Sequence, residues 1–170
     1  MADPDPEPVT IFPRHIKLPY NLTVGDLQSR HMRAIRDEKK IYGNQCTECK
    51  RVLLPPDIAC ALCWADTEGW IEVADRGVIK SFTVMRVPFY GQKIEIPYVI
   101  AQIVPDGADG GIMHLLQDIE ADDVRIGLRV EAVWTEEKRK GVLSDDILYF
   151  RPTGEPDMPI EELIAKGWGL

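Results

Sequence analysis

Four cysteines are the residues of this sequence whose types and spacing most clearly indicate chemistry. They form two Cys-x-x-Cys pairs, Cys46 with Cys49 and Cys60 with Cys63, and ten residues separate the pairs. Each pair can turn two thiolates toward one point, and two such turns that face each other form a tetrahedral cage for a metal ion. The spacing therefore predicts a structural Zn²⁺ site. Because four thiolates leave no coordination position for water, this zinc is expected to stabilise the fold and not to catalyse.

A redox role is the alternative for these cysteines, but thioredoxin-like chemistry needs one Cys-x-x-Cys pair, not two matched ones. The first residues are acidic and rich in proline, without the basic and apolar segments of a signal peptide. No apolar run approaches membrane-spanning length. We therefore predict a cytoplasmic location, where thiols stay reduced and a metal site is favoured over disulfides.

No group in the sequence has the surroundings of a catalytic residue. The three histidines are His15, His31 and His114. None of them stands beside a nucleophile in a recognisable motif. The acidic run at 120–123 is typical of a solvated loop, and the glycine-rich stretch at 107–111 lacks the lysine and the helix of a phosphate-binding loop. We therefore predict no catalytic residue.

Composition and periodicity predict the elements around the cysteines. Residues 1–22 form an extended leader with five prolines, whose apolar side chains either pack on their own domain or wrap over a partner. Residues 23–43 form a helix, which Thr23 caps and which Gly43 ends in the left-handed conformation. Residues 44–66 form the metal module. It has so few apolar residues that the metal must supply its folding energy.

Alternation with period two predicts five strands after the metal module. The first strand bends near residues 75–77, and the five predicted strands cover residues 70–87, 98–104, 112–116, 128–134 and 147–151. A long, bent first strand and a connection between the third and fourth strands favour a closed Greek-key barrel of the OB type over residues 67–152. Residues 153–170 form a C-terminal tail with a short helix, followed by Trp168.

The order of these elements resembles the DUF35 family of zinc-ribbon and OB-fold proteins, which is associated with acyl-CoA metabolism. The matching stretches are Cys46–Cys63 with Pro55-Pro56, Trp70, Gly77–Val84, Pro97–Ile103 and Arg125–Val130. The resemblance covers roughly residues 25–152 and rests on the combination of motifs. It implies a mainly β fold with an N-terminal helix, a rubredoxin-like zinc ribbon, a five-stranded OB-fold barrel and a short C-terminal helix. It also assigns the four cysteines to the family's zinc ligands. Lys50 and Asp57 depart from the family, in which many members have a glycine and a basic residue at these positions.

The resemblance further implies a non-catalytic accessory subunit of a thiolase-superfamily enzyme. The expected partner is a thiolase or a lipid-transfer-protein-like aldolase that acts on acyl-CoA thioesters, including those of steroid or lipid side-chain degradation. Because such enzymes are dimers, a heterotetramer is expected. The residues that we predict to contact the partner are Phe12, Tyr20, Phe89, Tyr90, Ile94 and Trp168.

Two other functions stay open. In the first, the chain binds acyl-CoA directly, and Arg86, Lys93 or the arginine-bearing helix contacts the phosphates of CoA. In the second, it binds single-stranded nucleic acid, as many zinc ribbons and OB barrels do. The net charge of −8 argues against nucleic acid and against anionic membranes. We therefore expect neither a nucleic-acid nor a membrane partner.

Overall fold

A computed structural model describes residues 9–14 and 16–168. His15, the first eight residues of the predicted leader and the last two residues of the predicted tail lie outside the described residues. The helices and strands are α1 (Gly25–Glu38), β1 (Ile41–Cys46), β2 (Val52–Leu53), β3 (Thr67–Val73), β4 (Arg76–Met85), β5 (Tyr98–Pro105), β6 (Ile112–Leu116), β7 (Arg129–Trp134), α2 (Leu143–Asp146), β8 (Ile147–Pro152) and α3 (Ile160–Ala165), with a 3-10 turn at Ala121–Asp123. The predicted fold class, mainly β with a cysteine ribbon and a five-stranded barrel, is confirmed.

The helix α1 is shorter than predicted at both ends. Its N-cap residue is Val24, and no side chain caps the first turn, so the predicted Thr23 cap is wrong. At the other end Lys39, and not Gly43, takes the left-handed conformation with a φ of 57°, and its N–H donates to the carbonyl of Ala34. That bond satisfies one of the free carbonyls of the last turn and ends the helix.

Gly43 instead lies in β1, at the point where the backbones of β1 and β2 approach each other. A Cβ at this position would stand 2.5 Å from the carbonyl oxygen of Leu53 in β2. No real side chain tolerates that distance, so only glycine allows β1 and β2 to pair here.

The ribbon is a three-stranded sheet in which β1 is the central strand between β2 and β3. β3 pairs antiparallel with β1, and Ile41 is opposite Val73. The prediction placed Trp70–Val73 in the first barrel strand, and the structure corrects this. The chain does bend at Asp75, but the bend separates two sheets because β1 has already taken the hydrogen bonds of β3. Alternation with period two continues through the bend and does not reveal the change of sheet.

The barrel is closed in the order β4-β5-β6-β8-β7, and β4 pairs with both β5 and β7. The pairing of β6 with β8 is parallel, with Leu116 opposite Phe150. The barrel interior contains buried side chains from all five strands, which include Ile79, Ile103, Leu116, Val130 and Phe150. Closure removes free strand edges from the sheet.

The turn between β5 and β6 joins the barrel to the ribbon. The N–H groups of Asp109 and Gly110 donate to the carbonyl of Val52 at 2.9 and 3.2 Å, and the N–H of Val52 donates to Asp109 Oδ2 at 2.8 Å. The sequence interpretation treated this glycine-rich stretch as a turn between strands. Its three bonds to β2 make it a latch, which we call the ribbon–barrel latch.

The C-terminal tail positions Trp168 by a glycine cap on α3. Gly167 is left-handed, with a φ of 71°, and the N–H groups of Gly167 and Trp168 donate to Ile164 and Leu163, each at 2.9 Å. This is the bonding pattern of a Schellman motif. The half-buried indole of Trp168 lies between the ammonium groups of Lys80 and Lys166, at 5.9 and 5.5 Å from its centroid.

Candidate functional site

The four cysteines come together at one end of the ribbon. All four sulfur atoms lie within 4.8 Å of one another, and the Sγ–Sγ distances are 3.3 Å from Cys46 to Cys63 and 3.7 Å from Cys49 to Cys60. Cys46 and Cys60 are buried, whereas Cys49 and Cys63 are exposed, and none forms a disulfide. Cys46, the buried member of the first pair, ends β1, and Cys60, the buried member of the second pair, precedes the second turn. The sheet therefore positions the site.

Backbone N–H groups favour thiolates at the two buried cysteines. Burial alone would raise the pKa of the Cys46 thiol, but the N–H groups of Cys49 and Glu48 and the facing Cys63 thiol lower that pKa to about 6. The N–H groups of Leu62 and Cys63 similarly lower the pKa of Cys60. The two turns therefore supply equivalent backbone N–H donors to their buried cysteines.

The two exposed cysteines respond in the opposite direction. The N–H of Arg51 favours a thiolate at Cys49, but burial and the thiols of Cys46 and Cys60 raise the pKa of Cys49 to about 11. The N–H of Ala65 favours a thiolate at Cys63, but the Cys46 thiol and burial raise its pKa. Four thiolates at these distances would therefore require a bound cation.

The cluster fits a tetrahedral metal site. Zn–S bonds of about 2.3 Å place the sulfur atoms of a tetrahedron about 3.8 Å apart, which lies within the range of distances observed here. Cys46, Cys49, Cys60 and Cys63 would supply all four ligands, and a bound divalent cation would displace the thiol protons. The residues present can hold a metal ion.

A residue with positive φ follows the second cysteine of each pair. Lys50 has a φ of 59° and Trp64 has a φ of 60°. Lys50 thus adopts the left-handed conformation for which glycine is better suited, which explains how the turn forms despite this departure from the family. Trp64 was not identified from the sequence. The feature that could have identified Trp64 is its position directly after Cys63, because Lys50 has the same position after Cys49.

Five of the six predicted interface residues lie on exposed surface. The exposed fractions are 78% for Phe12, 82% for Tyr20, 60% for Phe89, 90% for Tyr90 and 42% for Ile94. Phe89, Tyr90 and Ile94 share the loop between β4 and β5, whereas Phe12 and Tyr20 belong to the N-terminal segment and Trp168 follows α3. The structure does not bring the six together, and their contact with a partner stays a prediction.

The two residues predicted to contact CoA have acidic surroundings. Arg86 donates to Asp122 Oδ1 at 2.8 Å, and Lys93 lines a groove together with Glu95 and Glu120. Such neighbours repel a phosphate group, so these positions suit CoA poorly. The CoA contact stays a prediction.

Arginines of the barrel are likewise paired with carboxylates. Arg129 donates to both oxygens of Asp106 at 2.7 and 2.6 Å, and Arg125 donates to Asp157. The Arg129 guanidinium lowers the pKa of Asp106. An arginine that already binds a carboxylate in this manner offers little to a nucleic-acid phosphate.

The two described histidines are buried, and neither has a catalytic neighbour. His31 is 3% exposed and meets Trp70 edge-on, and His114 is 9% exposed and meets Phe150 edge-on. Within the described residues the two ring nitrogens of His31 and Nε2 of His114 have no hydrogen-bond partner. Burial lowers the pKa of both. They act as neutral core residues.

Lowered histidine pKa values predict that acid destabilises the fold. Between the folded-state pKa and the ordinary value of 6.5, the unfolded chain binds more protons than the folded chain. The contribution of the two histidines to stability is therefore fully present above pH 6.5. It is lost as the pH falls toward the folded-state pKa, by on the order of 1 kcal/mol per histidine at most at pH 5.5. Urea unfolding of the metal-loaded protein at pH 7.5 and 5.5 measures the loss. His114→Leu should lose less than the wild type, whereas equal losses in the two proteins would contradict the assignment.

No helix among the described residues is both long and apolar enough to cross a bilayer.

Comparisons with known proteins give one matching family and two relatives described as scaffold proteins. The family described as the C-terminal OB-fold domain of ChsH2 matches residues 70–135. A DUF35 domain-containing scaffold protein of Methanocaldococcus jannaschii is 32% identical over 114 residues, which are 66% of this chain and 79% of that relative. A scaffold protein of the same description from Pyrococcus furiosus is 27% identical over 127 residues, 73% of this chain and 91% of the relative.

Two solved structures share the fold. An Ltp2-ChsH2(DUF35) aldolase chain aligns with a TM-score of 0.55 at 24% identity, covering 78% of this chain and 98% of the other. A DUF35 protein of unknown function from Sulfolobus solfataricus aligns with a TM-score of 0.51 at 22% identity, covering 64% of this chain and 78% of the other. At these identities the likeness concerns the fold.

Proposed function

Because this chain belongs to the DUF35 family, we propose that it is a non-catalytic accessory subunit that binds and supports a thiolase-superfamily enzyme. The observation that carries this proposal is the relative of 32% identity, which is named a scaffold protein and is matched over 79% of its length. The site agrees with such a role, because its four thiolates would saturate a metal ion and the two described histidines are buried without catalytic neighbours. Catalysis is assigned to the partner.

The proposed partner is a thiolase or a retro-aldolase that acts on acyl-CoA thioesters. One structural neighbour is named as an Ltp2-ChsH2(DUF35) aldolase, which favours the aldolase class for the partner. Substrates with lipid or steroid side chains are part of the same proposal. Two copies of this chain on a dimeric enzyme would give a heterotetramer. A cytoplasmic location is part of the same proposal.

The metal we propose is Zn²⁺. A site with four cysteine ligands suits zinc and also iron, whereas calcium and magnesium prefer oxygen ligands. Zinc bound by four thiolates has no open position, so its contribution would be folding energy for the ribbon. The ribbon–barrel latch would then transmit this order to the barrel.

The loop between β4 and β5 is the strongest candidate for the surface that meets the enzyme. It exposes Val87, Phe89, Tyr90, Ile94 and Ile96, by fractions from 40% to 90%. Exposed aromatic side chains grouped on one loop are typical of interaction sites, and tyrosine is enriched among residues that dominate binding energy.

Co-purification with the enzyme tests the proposal. The chain is co-expressed with a candidate thiolase-like or aldolase protein from the same genome, and the product is analysed by size exclusion and by activity on an acyl-CoA thioester. We expect one complex, and truncation of two central aromatics in Phe89→Ala/Tyr90→Ala should weaken it about 30-fold or more. Met113→Ala is the control, since Met113 is 73% exposed on β6, outside the loop. Separate elution of the two wild-type proteins would refute the proposal.

A further inference from the structure

We propose that the groove beside the loop between β4 and β5 binds the N-terminal segment of a second copy of this chain. The groove is lined by residues 93–95, 97–99 and 116–121, and we call it the acidic groove. The segment consists of residues 9–14 and 16–22, and we call it the arm. This inference goes beyond the proposed function, because it concerns the assembly of the chain with itself and needs no enzyme.

The acidic groove has an apolar floor and a rim of carboxylates. Its volume is about 590 Å³, and the floor contains Val99, Leu116 and Ile119. The carboxylates on its rim are Glu95, Asp118 and Glu120, all exposed. None of the three forms an ion pair with the described part of the chain, and Lys93 is the basic residue of the lining. The groove thus suits a segment that alternates apolar and basic side chains.

The arm has this composition. It contains Arg14 and Lys17 and no acidic residue, and the acidic residues Asp3, Asp5 and Glu7 all precede it. Its large apolar side chains are between 76% and 88% exposed, and they are Val9, Ile11, Phe12, Ile16, Leu18, Tyr20 and Leu22. So many exposed apolar side chains in one short segment mark a surface that is covered in the assembled protein.

The exposure of the arm in the single chain argues that the arm which fills the groove comes from a second copy. An arm that packed on its own groove would be buried here, yet its apolar residues stay exposed. The groove lies at the end of β5 and β6 opposite the ribbon–barrel latch, whereas Gln28 ties the start of α1 to Pro56 of the ribbon. An extended arm of this length spans about 45 Å, which is enough to cross to a neighbouring molecule.

An exchange of arms is also the arrangement that symmetry favours. When each copy places its arm in the groove of the other, the same two surfaces meet twice and the dimer is closed. Phe89 and Tyr90 lie outside the lining of the groove, so they stay available for an enzyme in such a dimer, whereas Ile94 belongs to both surfaces.

Charge reversal tests the exchange on the isolated, metal-loaded, full-length chain. Light scattering after size exclusion gives the mass over a range of concentrations, and we expect twice 19.2 kDa for the wild type. Arg14→Glu/Lys17→Glu and Glu95→Lys/Glu120→Lys should each raise the dimer dissociation constant at least tenfold. An equimolar mixture of the two variants should recover the dimer. In the mixed dimer the reversed arm meets the reversed groove in one contact, and the unchanged arm meets the unchanged groove in the other. High salt should weaken the wild-type dimer.

The control is Arg33→Glu/Lys138→Glu, which changes the net charge by the same amount as the arm variant, on exposed residues outside the arm and the groove. It should dimerise as the wild type does. A wild type that stays monomeric at all concentrations, or a mixture that does not recover the dimer, would overturn the inference. Because no enzyme is present, failure here is independent of failure of the proposed function.

Discussion

Replacing Cys46 or Cys60 by serine is expected to abolish metal binding and to unfold the ribbon. Metal binding to structural cysteine sites contributes about 10–16 kcal/mol in isolated peptides, and entire domains are stable by only about 5–15 kcal/mol. The ribbon has few buried apolar side chains besides Ile41, Leu54 and Val73, so apolar burial cannot replace the metal. Removal of the metal from the wild type by a strong chelator should have the same result.

Elemental analysis measures the metal content, and circular dichroism measures the unfolding midpoint. The wild type should carry one zinc per chain and be colourless, whereas a coloured protein with iron would contradict the assignment of zinc. Glu48→Gln is the matched control, because Glu48 lies between the ligands of the first turn and its side chain is exposed. It should retain the metal and the unfolding midpoint. A Cys46→Ser protein that keeps a full equivalent of zinc and the wild-type midpoint would show that the four thiols are not its ligands.

Local patterns in the sequence predicted the ligands and the barrel strands. The spacing of two Cys-x-x-Cys pairs constrains where the thiols can point, and alternation along β4 to β8 reflects one face turned to the barrel interior. Both signals come from residues that are close together in the sequence. That is why the cysteine cluster and these strands could be predicted without the structure, and the role of the four cysteines as metal ligands stays a prediction.

Features that depend on distant neighbours were not predictable in this way. β3 has the same alternation as a barrel strand, and only its hydrogen bonds to β1 place it in the ribbon. Lys39 ends α1 although Gly43 is the better residue for a left-handed cap, because Gly43 is needed where β1 approaches β2. The latch and the acidic groove each join segments that are far apart in the sequence, so composition alone does not show them.

The second large effect is expected at Gly110, in the ribbon–barrel latch. A Cβ at this position would stand 2.6 Å from the carbonyl oxygen of Leu54 and 2.7 Å from its nitrogen. Since both are backbone atoms, Gly110→Ala must push the turn away from β2 and break the bonds between Asp109, Gly110 and Val52. Three hydrogen bonds at about 0.5–1.5 kcal/mol each predict a loss of about 2–4 kcal/mol. Urea unfolding of the metal-loaded protein measures it.

Gly107→Ala is the control that separates the latch from ordinary strain in the same turn. Gly107 has a φ of 90° but open space around it, with 3.9 Å to the nearest atoms of Val73. Its replacement should cost about 1–2 kcal/mol for the left-handed conformation and leave the latch intact. Hydrogen exchange then distinguishes the variants, because Gly110→Ala should lose protection at the amides of Val52 and Asp109 and Gly107→Ala should not. If both variants exchange alike at these amides, the ribbon and the barrel are joined by other contacts, and an order imposed by the metal would not pass through this turn.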